Sequence, residues 1–93
     1  MLYLRICFDK PGAGALRDAH RAEHRAYLQS SGMKLAQAGP MCAGDKDDTN
    51  IGSFMVVDAD SYEAVVRFHE NDPFTKVGLF SESRIHRWDK HVG

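Results

Sequence analysis

The sequence of 93 residues contains little cysteine, no excess of charge of either sign and no long apolar run. Twelve Lys and Arg residues against thirteen Asp and Glu residues give a formal net charge of -1. A protein that binds nucleic acid by neutralising its phosphates needs a basic face. No apolar run approaches the roughly 20 residues that span a bilayer. We therefore expect neither a nucleic-acid partner nor a membrane partner.

The two cysteines, Cys7 and Cys42, are too few for a disulfide framework. The apolar N-terminus, MLYLRICFDK, lacks the basic leader of a signal peptide and alternates as a strand does. Both features predict a cytoplasmic protein with reduced thiols. The length predicts a single domain over residues 1–93, and its 43% of hydrophobic residues is normal for a globular protein.

Hydrophobic periodicity predicts the elements of the first half of the chain. Residues 2–8 alternate as a strand, and helical spacing then extends from Ala15 to Ser31, followed by Gly32 as a C-cap. The stretch MKLAQAGPM predicts a second strand that ends at Gly39-Pro40, because proline cannot continue a central ladder. The polar stretch AGDKDDTN predicts the loop of a long hairpin, and IGSFMVVDA predicts the third strand.

The second half of the chain supplies one more helix and one more strand. Asp60 is a suitable N-cap for a helix over SYEAVVRFHEN, which Asp72-Pro73 ends. FTKVGLF predicts an irregular or short helical segment, and SRIHRWD predicts the last strand. The order βαββαβ is that of a ferredoxin-like α+β fold, a two-layer sandwich with both helices on one face of the sheet.

Bulky side chains lie on both faces of the predicted sheet. Helices can cover only one of these faces, and a second apolar face left in water is an aggregation hazard or an interface. We therefore expect a homodimer that packs sheet against sheet. The residues are Leu2, Leu4, Ile6 and Phe8 against Tyr3 and Cys7 in the first strand, and Phe54 and Val56 against Met55 and Val57 in the third.

The segment HRAEH places His20 and His24 one helical turn apart, and about 100° per residue lets both side chains reach one ion. H-x-x-E-H is also the spelling of an inverted zinc-protease motif. A chain of this size has no room for a peptidase cleft. Two histidines are also fewer than the four ligands of a structural zinc site or the three of a catalytic one. We expect no bound metal.

The first helix has a row of alanines that we predict to pack on the sheet. The two histidines then lie at the border between the buried and the polar face, where periodicity cannot separate a solvated histidine from a functional one. The predicted buried arc consists of Ala15, Leu16, Ala19, Ala22, Ala26 and Tyr27.

Five stretches, RAEHRAYL, AGPM, GSFMVVDADSYEA, NDPFTKVGLF and SRIHRW, occur in an order and at spacings that resemble the YciI-like (YCII-related) family. Members typically have Arg-Pro-x-His in the first helix, and here Ala22 stands in place of that proline, between Arg21 and His24. Near the C-terminus, His86-Arg87 stands in place of an Arg-Pro pair. The resemblance implies a dimeric α+β barrel and an active site built around a histidine and an aspartate.

On this resemblance, His24 is the general base and Asp72 is the carboxylate that orients it. Asp72 is also a suitable turn former before proline, and Arg21 either stabilises negative charge or is a solvated helix charge. Gly39 and Pro40 are expected to line the substrate pocket, although a turn at a strand end also explains them. Tyr3 and Arg5, on the inward face of the first strand, are further candidate pocket residues. His20, His69, His86, His91, Cys7 and Cys42 receive no role.

The resemblance implies a cofactor-free enzyme, a lyase of the dehydrochlorinase type or an isomerase, that moves a proton on a small oxygenated cyclic or aromatic-derived substrate. Two other hypotheses fit the same pocket. One is a non-catalytic module that binds a small ligand, and the other is a cofactor-independent monooxygenase. Turnover would favour the lyase or isomerase, binding without turnover would favour the binding module, and oxygen consumption would favour the monooxygenase.

Overall fold

Four antiparallel strands form one sheet, and three helices accompany it, in the computed structural model, which describes all residues from Met1 to Gly93. The order of elements confirms the ferredoxin-like α+β prediction, with one additional short helix. The elements are β1 (Leu2–Asp9), α1 (Gly14–Ser30), β2 (Lys34–Gly44), β3 (Asp47–Asp58), α2 (Tyr62–Asn71), α3 (Pro73–Lys76) and β4 (Phe80–Trp88).

The strand order in the sheet is β2-β3-β1-β4. The two most apolar strands, β1 and β3, are paired in the centre, and the more polar β2 and β4 form the edges. Under the helices, Tyr3, Met55 and Val57 from these central strands pack with Val65 and Phe68 of α2. This cluster is the apolar core, and Tyr27 and Leu28 of α1 pack against it from the side.

The prediction that β2 ends at Gly39-Pro40 was wrong, because the strand continues to Gly44. It is an edge strand, so one side of it has no ladder and the missing N–H of proline is tolerated there. The predicted loop over residues 43–50 therefore shortens to a tight turn around Asp45 and Lys46, and β3 already begins at Asp47.

At the starts of α2 and α3, a side chain accepts a hydrogen bond from the backbone and caps the helix. Ser61, and not Asp60 as predicted, caps α2, with its Oγ accepting a hydrogen bond from the N–H of Ala64 at 3.1 Å. Asp72 caps α3 in the same manner through the N–H of Phe74 at 2.9 Å. The break after α2 thus directs the Asp72 side chain to the start of α3.

The prediction of the buried face of α1 was also wrong. The four alanines of the predicted arc are exposed, and the helix instead buries Arg17 and His24, with Tyr27 and Leu28 half-buried beside them. Both rows have helical spacing, so periodicity cannot choose between them. The choice is made by the acidic partners that Arg17 and His24 meet beneath the helix. The alanines are Ala15, Ala19, Ala22 and Ala26.

The opposite face of the sheet carries no helix. Leu2, Leu4 and Ile6 are only half-buried there, and Phe8 is 37% exposed. None of the three helices is long and apolar enough to cross a membrane.

A substitution at Gly52 tests how closely the central strands β1 and β3 approach each other. A Cβ at this position would overlap the carbonyl oxygen of Cys7 and lie 2.7 Å from Cε of Met41. The backbone of β1 cannot move away without breaking its ladder, so Gly52→Ala should lower the free energy of unfolding by about 1–3 kcal/mol. The measurement is urea denaturation followed by circular dichroism.

Gly39→Ala is the matched control, because Gly39 also lies in a strand and a Cβ there has no atom within 4 Å. Its unfolding midpoint should stay close to that of the unmodified protein. Equal midpoints for the two variants would contradict the close approach of β1 and β3 at Gly52.

Candidate active site

Asp72 lies at the centre of a buried polar cluster, with a fully buried side chain. Its Oδ1 lies 2.8 Å from Nδ1 of His24 and also accepts the N–H of Phe74 at 2.9 Å. Its Oδ2 accepts a hydrogen bond from Nη1 of Arg5 at 2.8 Å. Both carboxylate oxygens therefore have partners, as a buried charge requires.

The Asp72 carboxyl is held in its ionised form. Burial would raise its pKa, but the hydrogen bond from His24, the charge of Arg5 and the N–H of Phe74 together lower the pKa of Asp72 below its ordinary value. An ionised carboxylate can only accept hydrogen bonds, so Nδ1 of His24 must carry the proton. In the neutral imidazole, Nε2 is then the free basic nitrogen.

The His24 ring is fixed in orientation as well as in tautomer. It stacks on the ring of Phe74, with centroids 4.0 Å apart and planes 12° apart. Phe74 follows Asp72 by two residues in α3, so one short element supplies both the carboxylate and the stacking surface. A ring held at Nδ1 and on one face has little freedom to turn away from a ligand.

Arg5 supports Asp72 from behind. Its guanidinium also donates from Nε to Nδ1 of His69 at 2.9 Å and from Nη2 to Oγ1 of Thr75 at 3.4 Å. The carbon Cζ lies 5.5 Å from the ring centre of Phe68, which favours the charge further. The side chain is fully buried and does not line the pocket, so Arg5 is a support for the carboxylate and not the pocket residue that the sequence suggested.

His69, which received no role from the sequence, is the acceptor that Arg5 requires. Burial and the charge of Arg5 outweigh the opposing charge of Asp72 and lower the pKa of His69 to about 4. The imidazole is therefore neutral near pH 7, and its Nδ1 is free to accept. No sequence motif marks this pairing, because 64 residues separate the two side chains.

A pocket of about 250 Å³ opens between α1 and the hairpin of β2 and β3. Three arginines and His24 line its α1 side, and no carboxylate lies on its wall. The pocket is thus small, partly apolar and positively charged. Its lining consists of Arg17, Arg21, His24, Arg25, Leu28, Ala38, Gly39, Pro40, Asn50, Ser53, Met55 and Phe74.

The structure brings most of the candidate residues together. His24 and Asp72 are in contact, and Arg21, Gly39 and Pro40 line the same pocket as His24. Arg21 also forms an ion pair with Asp18 at 2.8 Å on the helix surface. Their roles in binding and catalysis stay predictions.

Tyr3 and His20 lie outside the pocket. Tyr3 is 2% exposed and belongs to the apolar core with Val57 and Val65, because its strand position faces α2 and not the hairpin. His20 faces Glu23, with 3.4 Å between Nδ1 and Oε1. No group of three or more His, Cys, Asp or Glu side chains converges around the two histidines of HRAEH or elsewhere.

Arg17 is the buried arginine among the pocket residues that the sequence did not indicate. It precedes Arg21 by four residues and His24 by seven, and Leu28 continues the row, so all four side chains lie on one face of α1. This spacing was the available signal. The spacing alone does not separate such an arginine from the solvated charge that an arginine on a helix ordinarily is.

Comparisons with known proteins give concordant results. The family model of the YCII-related domain matches residues 1–89. A solved structure of 5-chloro-2-hydroxyhydroquinone dehydrochlorinase from Burkholderia phenoliruptrix, in complex with 2,5-dihydroxybenzoquinone, superposes with a TM-score of 0.88 at 38% identity. The match covers 98% of this chain and 96% of that one.

A second solved structure, the protein At3g17210 of Arabidopsis thaliana, superposes with a TM-score of 0.53 at 11% identity, covering 99% of this chain and 96% of that one. At that identity the likeness concerns the fold alone. No protein with a curated function matches the sequence significantly.

The pairing of Arg5 with a neutral His69 predicts a specific dependence of stability on pH. The pKa of His69 is about 4 in the folded chain and about 6.5 when the chain is unfolded, so between these values only the unfolded state binds the proton. The free energy of unfolding should therefore fall as the pH is lowered from about 6.5 to 4. We expect a loss of roughly 2 kcal/mol, below the full linkage value because solvent reaches part of the ring.

His69→Gln keeps an acceptor for Nε of Arg5 but cannot be protonated, so this variant should lose less stability between pH 7 and pH 4.5 in urea denaturation. His91→Gln is the control, because His91 is exposed and pairs only with Asp89. Identical pH slopes for the His69 variant and the unmodified protein would contradict the assignment.

Proposed function

Because the chain belongs to the YCII-related family, we propose that it is a cofactor-free enzyme of the dehydrochlorinase type, acting on a small chlorinated and hydroxylated ring. The observation that carries the proposal is the placement of His24, which a buried and ionised Asp72 holds at the wall of a cationic pocket. The sequence identity of 38% to a dehydrochlorinase, over 98% of this chain, supports the reaction class.

The proposed reaction balances within the substrate. The hydroxyl group beside the chlorinated carbon gives up its proton, and the carbon that bears chlorine gains a proton. The hydroxyl group para to the first then loses its proton as chloride leaves with the electron pair of the carbon–chlorine bond. The products are a hydroxylated quinone and HCl. The two electrons that the ring loses leave with chloride, so the reaction requires no oxidant and no redox cofactor.

Each proton transfer requires a group that is basic near neutral pH and that can return the proton. We assign this role to Nε2 of His24, with Asp72 holding Nδ1–H and stabilising the imidazolium that forms. Arg21 would stabilise the negative charge that develops on the ring oxygens. Gly39 and Pro40 would form the opposite wall of the pocket. The quinone product resembles 2,5-dihydroxybenzoquinone, which makes that compound a suitable probe for this chain.

The pocket is also compatible with catalysis without a metal, because the arginines supply the positive charge that a Lewis acid would otherwise provide. Proton transfer at the chlorinated carbon is then the step that the site must accelerate. A ring in the pocket that faces Nε2 of His24 would present its hydroxyl groups and its chlorinated carbon to one base.

We further propose that the chain acts as a homodimer. The face of the sheet away from the helices carries a row of half-exposed apolar side chains, and an uncovered apolar face of this kind marks an interface. A second copy of the chain could cover this face, since a two-fold axis brings identical faces together. The row includes Leu2, Leu4, Ile6, Phe8 and Phe54.

The dimer predicts the behaviour of a charged substitution at the centre of that face. At micromolar concentration the unmodified protein should sediment as a dimer in analytical ultracentrifugation, and Ile6→Lys should shift it to a monomer. Ala19→Lys is the control, because Ala19 is exposed on α1 and a lysine there adds the same charge away from the open face of the sheet. A well-folded monomer of the unmodified protein would contradict the proposal.

The two histidines of HRAEH provide the test of the catalytic assignment. With 5-chloro-2-hydroxyhydroquinone as substrate and chloride release as the measurement, His24→Ala should lower turnover by about 10²–10⁴-fold, the usual cost of losing a general base. His20→Ala should change turnover little, because His20 lies outside the pocket and faces Glu23.

Circular dichroism of both variants separates a loss of chemistry from a loss of folding. Full activity of a folded His24→Ala variant would refute the role of His24. Ligand binding by the unmodified protein without chloride release would favour a binding module, and oxygen consumption would favour a monooxygenase.

A further inference from the structure

The pocket is polar at one end and apolar at the other. Along α1, its lining begins with Arg17 and Arg21, continues to His24 and ends at Leu28. Arg25 also lines the pocket, but this side chain is exposed to solvent. A rise of about 1.5 Å per residue places Leu28 roughly 6 Å beyond His24 along the helix axis. The buried polar groups of α1 therefore end one helical turn before Leu28.

The strands beneath α1 show the same division. Ser53 accepts a hydrogen bond from Arg17 at 3.0 Å, so it belongs to the polar end. Met55 lies two residues further along β3 and therefore on the same face, and its partner across the ladder is Ala38 of β2. Leu28 packs against the core cluster that contains Met55. We refer to Leu28, Ala38 and Met55 as the apolar end of the pocket.

Leu28 is the residue that determines how far this end extends. Met55 is 1% exposed, and its Sδ accepts a hydrogen bond from Nη1 of Arg5 at 3.5 Å, so its position is fixed. Ala38 contributes a single methyl group. Leu28 is half-buried and is the one large side chain at this end that is not enclosed by the core. The space available to a ligand there therefore depends on the size of residue 28.

The chemistry of this end selects the part of a ligand that it can hold. None of its three side chains has a nitrogen or an oxygen, so a hydroxyl group placed there would lose its hydration without gaining a partner. A chlorine or methyl substituent has no such cost and would bury apolar surface. On the proposed reaction, the chlorinated carbon must also reach Nε2 of His24, which is one turn from Leu28.

We infer that Leu28 is a specificity-determining residue that closes the apolar end of the pocket, so that the pocket selects rings whose substituent on that edge is apolar and about the size of chlorine or a methyl group. The inference rests on the proposed function in placing the ring beside His24. It goes further by assigning the apolar substituent to one end of the pocket and its upper size to one side chain.

Three ring compounds that differ only at this edge test the inference by binding alone. They are 2,5-dihydroxybenzoquinone and its 3-methyl and 3-isopropyl derivatives, which have the same ring oxygens and the same ionisable groups. In isothermal titration calorimetry, the unmodified protein should bind the methyl derivative about threefold tighter than the unsubstituted compound, because one more carbon is buried. It should bind the isopropyl derivative about tenfold more weakly than the methyl derivative, because the larger group overfills the apolar end.

Leu28→Ala is the matched substitution, because it deletes an isopropyl group from the side chain. This variant should bind the isopropyl derivative about tenfold tighter than the unmodified protein does, since the ligand fills the space that the substitution leaves. Its affinity for the unsubstituted compound should change by less than about threefold. Leu28→Val removes only one methylene group and should give an intermediate preference, so it decides the question if Leu28→Ala does not fold.

Leu35→Ala is the control for a loss of core packing. Leu35 is also half-buried and packs against the same core cluster, but it does not line the pocket. This variant should keep the order of affinities of the unmodified protein for the three compounds. A change of preference that Leu28→Ala and Leu35→Ala share would show a general loosening of the core and would overturn the inference.

The remaining outcomes separate this inference from the proposed function. Equal affinity of the unmodified protein for the methyl and isopropyl derivatives, or an unchanged preference in a folded Leu28 variant, would overturn the inference even if chloride release were observed. A preference that depends on Leu28, in a protein that releases no chloride from 5-chloro-2-hydroxyhydroquinone, would uphold the inference and refute the dehydrochlorinase proposal.

Discussion

The buried carboxylate of Asp72 is the group around which the polar half of the molecule is arranged. Asp72 is the single residue between α2 and α3, and its carboxylate caps α3, holds the ring of His24 and forms an ion pair with Arg5. Each contact also solves a problem of burial, because a charged oxygen without a partner costs several kcal/mol in the protein interior. The position of α1 against α3 therefore follows from the same interaction that fixes the tautomer and the orientation of the His24 ring.

The layer between the helices and the sheet thus has one half that is mainly apolar and one half that is mainly polar. Against α2, Tyr3, Val57 and Phe68 form an apolar core in which burial of surface supplies the stability. Beneath α1, two buried ion pairs, Arg5–Asp72 and Arg17–Asp9, take the place of part of the apolar packing, and only Tyr27 and Leu28 of this helix pack on the core cluster. Such pairs add little net stability compared with apolar packing, but they define one geometry because any displacement leaves a charge unpaired. The same pairs therefore hold the side chains around His24 in one arrangement.

The fold was predictable because it depends on local patterns. Alternation in β1 and β3, the helical run to Ser30 and the break at Asp72-Pro73 each required only neighbouring residues. The wrong predictions concern features that depend on residues far away in the sequence. Proline at position 40 continues a strand because β2 lies at the edge of the sheet. The alanine row of α1 faces solvent because Asp9 and Asp72 draw the opposite face inward.

The sequence by itself determined the order of the elements and, through a family resemblance, the choice of His24 and Asp72. Only the tertiary structure decided which side chains surround these two groups. It placed Arg5 and His69 behind the carboxylate, removed Tyr3 from the pocket and put Arg17 into it. Periodicity depends on spacing along one element, whereas ion pairs join residues from different elements. Arg5 and Asp72 are 67 positions apart, and no local rule predicts that they meet.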